Sequence, residues 1–200
     1  MQEFFVVRAA VFIDGGQLRV LARQSRLPFD PDYIERFAHA FILPDESLLR
    51  VHYFDCAPFA GKVKLPVSGK DLEFKGNDRW LNELAGKDYF AVRRGVLKFR
   101  GFKPKKVPIS PDKLTDLDFK PDFEQKGVDM RIGLDMASLS FSKIVDRIIL
   151  VTADTDCIPA MKQSRISGLQ IVLISLPGQH LAPELLWHSD MRRSIAFPSP

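Results

Sequence analysis

The sequence predicts an α/β fold: a doubly wound, mainly parallel sheet with helices on both faces. Two runs, RAAVFID at 8–14 and RIILVT at 147–152, are apolar almost throughout and end at or just before aspartates, the pattern of strands buried on both faces. Segments of helical spacing alternate with further strand-like runs, which implies right-handed βαβ crossovers and a parallel sheet. The chain of 200 residues, 46% hydrophobic and 27% charged, is long enough to bury one substantial core. It reads as a single domain over 1–200, with a core at about 8–176 and a C-terminal helix and tail at 177–200.

The run 8–14 is the expected central strand. Residues 17–24 suit a short helix, and Asp30, Pro31 and Asp32 supply an N-cap, a first-turn proline and an acidic first turn for a second. That helix carries Ile34, Phe37, Ala38 and Phe41. Residues 48–54 form strand two, 57–70 an exposed loop, and 71–85 a helix stopped by Gly86, with a short strand at 89–92 and a hairpin about Arg94 and Gly95. Between 101 and 127 there is no sustained period, and Pro104, Pro108, Pro111 and Pro121 point to a long insertion outside the packed sheet. A helix at 128–142, a buried strand at 147–152, a helix at 158–167 and a last strand at 170–174 follow. A final helix at 183–191 offers an apolar face for a homodimer.

Composition narrows the classes. The net charge is +4, which permits a polyanionic partner without demanding one. The start carries Glu3 and Arg8 in its apolar run and does not read as a signal peptide, and the longest uncharged stretch is broken by Pro177 and Gly178; a cytoplasmic protein away from membranes is expected. Cys56 and Cys157 have no zinc spacing. His39, His52, His180 and His188 are scattered.

Chemistry concentrates in aspartates. Asp14 ends the first strand, and Asp154 and Asp156 follow RIILVT, so all three belong at the carboxyl edge of the sheet, where open parallel sheets bind ligands. Asp129 opens the helix before RIILVT, and a crossover helix begins at that same edge. Each aspartate alone could be a turn residue or cap; several segments converging on one edge favour a site. Clustered carboxylates repel unless a proton or cation enters, and an oxygen-only donor set suits Mg²⁺ or Mn²⁺. Hydrolysis of a phosphodiester is the leading chemistry. Asp135 falls beside the apolar arc of Val128, Ile132, Met136 and Leu139, roughly 9 Å along the helix from Asp129. It is expected to support the acidic site indirectly, or else to bond a structural donor.

A basic stretch lies upstream. Between Lys87 and Lys106 eight basic residues stand against one acid. Arg93, Arg94, Lys98, Arg100, Lys103, Lys105 and Lys106, interleaved with Phe90, Phe99 and Phe102, suit a groove for single-stranded nucleic acid. The alternative is a solvated edge hairpin with its rings turned inward. From 112 to 124 five acids could fold back on this patch.

Together FIDG at 12–15, KGVDMRIGLD at 126–135 and LVTADTD at 150–156, with Gly168 and a strand after it, resemble the NYN domain of the LabA-like group in the PIN-like nuclease superfamily. The likeness spans 12–174 in the family's order. It implies a doubly wound α/β fold whose Asp14, Asp129, Asp154 and Asp156 bind Mg²⁺ or Mn²⁺ and cut RNA, with Thr152 as a polar neighbour and Asp135 in support. Thr155 is a further candidate neighbour of the acidic site, and Lys126 a further candidate for contact with nucleic acid. The family usually has asparagine where this chain has Gln17, whose extra methylene displaces the amide and weakens a positioned contact. Two functions follow: a metal-dependent endoribonuclease acting on single-stranded or structured RNA, or an RNA-binding regulatory module that cuts little. A metal-dependent phosphatase ranks third, for lack of a second aspartate two positions after Asp14.

Overall fold

The computed structural model describes residues 6–109 and 114–199. Strands β1 (Val7–Asp14), β2 (Glu46–Cys56), β5 (Phe90–Pro104), β6 (Phe119–Lys126), β7 (Arg147–Val151), β8 (Gln170–Ser175) and β9 (Met191–Ser194) form one sheet in the order β6-β5-β2-β1-β7-β8-β9. All neighbours are parallel except β5 and β6. The expected α/β class and the central place of β1 are both observed. Strands β3 (Gly61–Lys64) and β4 (Asp71–Phe74) make a separate antiparallel hairpin.

Alternation along the strands sorts the core. Ala9, Val11 and Ile13 face one side, against α1 (Gly15–Gln24), α2 (Pro31–His39) and α3 (Arg79–Ala85). Ala10 and Phe12 face the other, against α4 (Val128–Ser142), α5 (Ile158–Ile166) and the short α6 (Pro183–Trp187). Asp30 caps α2 as its sequence suggests, accepting the Tyr33 N–H at 2.8 Å. At the amino end of the sheet the buried Glu46 accepts from Arg147 and Arg193, joining β2, β7 and β9.

Three readings of the middle of the chain are corrected. Residues 71–85 are not one helix: 71–74 pair with 61–64, inside the segment read as loop, and only Arg79–Ala85 is helical. Phe59 and Phe74 pack with Phe99 and Phe123 in an aromatic cluster, and this tertiary burial overrides weak local helical preference. No turn forms at Arg94 and Gly95; β5 runs on to Pro104. Nor is 101–127 outside the sheet, because Phe119–Lys126 returns as its antiparallel edge, a position where Pro121 is tolerated. The sheet also gains β9 after the strand expected to be last, while the helix read at 183–191 ends at Trp187.

The β5–β6 ribbon decides where the site lies. The last pairing of β5 with β2 is Gly95 with Cys56, so Val96–Pro104 overshoot the carboxyl edge and pair only with β6. The return strand brings the chain back to Lys126 opposite Val96, and Gly127, at φ 75°, turns it into α4. Helix α4 therefore starts at the carboxyl edge, as expected, but by an antiparallel return.

Candidate metal centre

Four segments meet at this edge. Asp14 ends β1 and also caps α1, its Oδ1 accepting the Gln17 N–H at 3.0 Å. After β7, Thr152 is fully buried; its Oγ1 accepts the Asp154 N–H at 3.1 Å and donates toward Asp14 Oδ2 at 3.4 Å. Asp154 in turn accepts the Asp156 N–H at 2.9 Å, capping the 3-10 turn Thr155–Cys157. These short bonds are the capping pattern open to any strand-to-helix turn. Here they also aim the carboxylates.

Asp129, Asp154 and Asp156 each offer one oxygen, and all three oxygens lie within 4.8 Å of one another. Asp14 stands beside this trio and outside that spacing. Its carboxyl is pushed up to about 6, first by burial and then by Asp129, Asp154 and Asp55, against the lowering effect of the Gln17 N–H. Asp129 is raised by its partial desolvation and by Asp154 and Asp156. A group of oxygens carrying more negative charge than its surroundings offset is the donor set a hard divalent cation takes. Cys157 plays no such part, since burial, with Asp154 next, pushes its thiol up to about 12. Thr155 is exposed.

Asp135 is not part of this group. Its Oδ2 accepts the Arg93 Nε–H at 2.6 Å and lies 3.1 Å from His52 Nδ1, so it takes the structural donor, from β5, that its place on the helix allowed. Much of the basic stretch is paired within the protein. Arg94 bonds Asp78 at 2.7 Å, Arg100 bonds Glu124 at 2.5 Å, Lys103 pairs with Asp122 and Lys126 with Glu124. The acids of β6 do fold back on these cations, as a cross-strand ladder. Lys98, Lys105 and Lys106 form no ion pair among the described residues. Phe90 packs on the core and Phe99 in the aromatic cluster, with Phe102 edge-on to Phe99.

Sequence reading missed Asp55, Arg19 and Gln125. Asp55 is wholly buried at the end of β2 and accepts from Arg19, the Tyr53 hydroxyl (3.4 Å) and the Cys56 N–H (2.7 Å). Gly15 permits this, because a Cβ there would sit 2.5 Å from the Tyr53 oxygen and 2.8 Å from Asp55 Oδ2. The Gln125 amide closes over Gly16, 3.1 Å from where a Cβ would project. The signal for Asp55 was its position ending a strand parallel to β1; nothing local marks Arg19 or Gln125.

Among the described residues no helix is long and apolar enough to cross a membrane. No curated protein matches this sequence. The fold is similar to that of a protein of unknown function from Vibrio parahaemolyticus, known from a crystal structure, at 15% identity and a TM-score of 0.56, covering 98% of this chain and 96% of that one. The family model for the NYN domain matches residues 78–192, more than half of the chain and a span that holds Asp129, Asp154 and Asp156. The chain belongs to the NYN domain family, within the PIN-like nuclease superfamily.

Proposed function

We propose that this protein is a divalent-metal-dependent ribonuclease of the LabA-like group, hydrolysing RNA phosphodiester bonds at the carboxyl edge of the sheet. The observation that carries this reading is the meeting of Asp129, from the start of α4, with Asp154 and Asp156, from the loop after β7, at 4.8 Å or less. These three would hold Mg²⁺ or Mn²⁺, with Asp14 completing the acidic wall. When bound, such an ion supplies an acidified water for attack and positive charge for the scissile phosphate. The chain's own part is positioning: Thr152 ties Asp14 to Asp154, and the N-terminus of α1 keeps the Asp14 carboxylate facing the edge. RNA is the proposed partner and the cytoplasm the proposed compartment.

A second reading, an RNA-binding module with little cleavage, is favoured by Gln17, which stands where the family usually has asparagine. The test is incubation of the purified chain with labelled single-stranded RNA, duplex RNA and DNA, in Mn²⁺, Mg²⁺ or chelator. Metal-dependent cleavage of RNA that disappears in Asp14→Asn and Asp154→Asn is expected. Cleavage surviving in chelator or in both variants would reject the acidic site; binding without cleavage in any metal would favour the module.

A further inference from the structure

Beside the acidic edge lies a cleft of about 300 Å³ lined by Arg19, Phe29, Cys56, Trp80, Leu97 and Gln125. We propose that it is a subsite for one unpaired nucleobase of the RNA strand, next to the phosphodiester held at the acidic group; this rests on the ribonuclease reading for its substrate.

The cleft touches the site through Gln125. A Cβ placed on Gly16 would lie 3.1 Å from the Gln125 amide oxygen and 3.3 Å from Asp14 Oδ1. The wall of the cleft and the acidic edge are thus one residue apart. A polynucleotide with its phosphate at the aspartates has a neighbouring base within reach.

Its lining suits a base better than a phosphate. The Arg19 guanidinium lies 5.4 Å from the Phe29 ring centre and 5.9 Å from that of Trp80. Its charge is already met by the buried Asp55, so attraction for a second anion is weak. What remains is a delocalised plane standing over the two aromatic rings, on a side chain that is 35% exposed. Bases splayed from single strands stack on such rings and on arginine planes. Gln125 adds an amide able both to donate and to accept at a base edge. At about 300 Å³ the cleft stands at the small end of ligand sites. A base still stacked in a duplex cannot enter it.

The arrangement is built rather than incidental. Trp80 packs edge-on against Tyr53 (6.1 Å) and Phe29 (5.5 Å), while Asp55 holds Arg19 from below. The basic stretch, by contrast, has its rings and most of its cations committed within the protein.

The test uses the full chain in chelator, so that no cleavage occurs, and a fluorescent single-stranded RNA of about ten nucleotides. Anisotropy gives its affinity, and a series with one abasic residue moved along the strand gives its dependence on each base. Removal of one particular base is expected to weaken binding about tenfold, within the range of base–aromatic stacking. Gln125→Ala and Trp80→Leu should weaken the intact strand and lose that sensitivity, with Trp80→Phe restoring part of it; a DNA counterpart shows whether the sugar matters. Because Trp80 also packs on Tyr53, Gln125→Ala and the abasic series decide if Trp80→Leu melts early. Affinity indifferent to every abasic position, sensitivity that persists in Gln125→Ala, or no binding at all would overturn the proposal. Base-sensitive binding without cleavage in metal would leave the subsite standing and reject the nuclease; cleavage without base sensitivity would do the reverse.

Discussion

The Arg93 Nε–H donates to Asp135 Oδ2 at 2.6 Å and so joins β5 to α4 across the face of the sheet. His52 on β2 lies against the same oxygen. Burial makes the His52 ring give up its proton more readily than usual, with Asp135 acting against that. With Asp135 gone, His52 becomes still harder to protonate in the fold, whereas the unfolded chain protonates it near pH 6.5. Asp135→Ala should therefore cost about 1–3 kcal/mol at pH 7 through the lost bonds, and more once the pH falls below the lowered pKa of His52 in the wild-type fold, where that fold takes up a proton that the variant still refuses. Thermal melts between pH 5 and 8 measure this. A constant loss over that range would show that His52 and Asp135 are not coupled.

Asp14 predicts the opposite slope. Below pH 4 both the folded and the unfolded chain hold its proton. Between about 4 and 6 the folded chain retains a proton that the unfolded one has released, so stability falls as pH rises, and above 6 the deficit is constant at about 3 kcal/mol for a rise of roughly two pH units. Asn keeps the oxygen that caps α1. In chelator, Asp14→Asn should be more stable than wild type by about 1–3 kcal/mol at pH 7 and equal to it below pH 4. Urea denaturation at both pH values checks this; equal stability at pH 7 would mean that Asp14 is not strained by its neighbours.

Metal should stabilise the folded chain by mass action. At a hundredfold excess of Mn²⁺ over its dissociation constant the gain is about 2.7 kcal/mol, a melting shift of roughly 5–10 °C for this size. Asp154→Asn keeps the acceptor for the Asp156 N–H while removing a charged donor. Its melting shift should shrink or vanish, and its stability in chelator should match or exceed wild type. Equal shifts in the two proteins would reduce Asp154 to a cap.

Ion pairing ranks the basic residues. Arg94, Arg100, Lys103 and Lys126 are answered by acids, whereas Lys98, Lys105 and Lys106 are exposed. Replacing these three lysines by alanine should weaken RNA binding and lower the salt slope by about two to three units on a log–log plot. Replacing Arg93, Arg94 and Arg100 should lower the slope less and the melting temperature more. The reverse ranking would place the strand on the arginine side of the ribbon.

Elements whose signals are local and strong can be read directly along the chain. Val7–Asp14 and Arg147–Val151 are apolar beyond any helical period, Val128–Ser142 carries its buried stripe at Val128, Ile132, Met136 and Leu139, and Asp30 with Pro31 announces α2. Parallel strands of that kind send their following loops to one edge, so the shared edge of Asp14, Asp154 and Asp156 was legible in the chain; Asp129 was expected there too, but it arrives by the antiparallel return of β6. The remaining elements depend on contacts between residues far apart in the chain. Residues 71–74 and 119–126 are strands because of what lies opposite them, the Phe59, Phe74, Phe99 and Phe123 cluster and the paired charges of β5 and β6. No local period encodes such long-range pairing. For the same reason Arg93 and Asp135, both candidate site residues when read along the chain, turn out to be each other's partners: a charge is available to a ligand only if no other charge in the fold has reached it first.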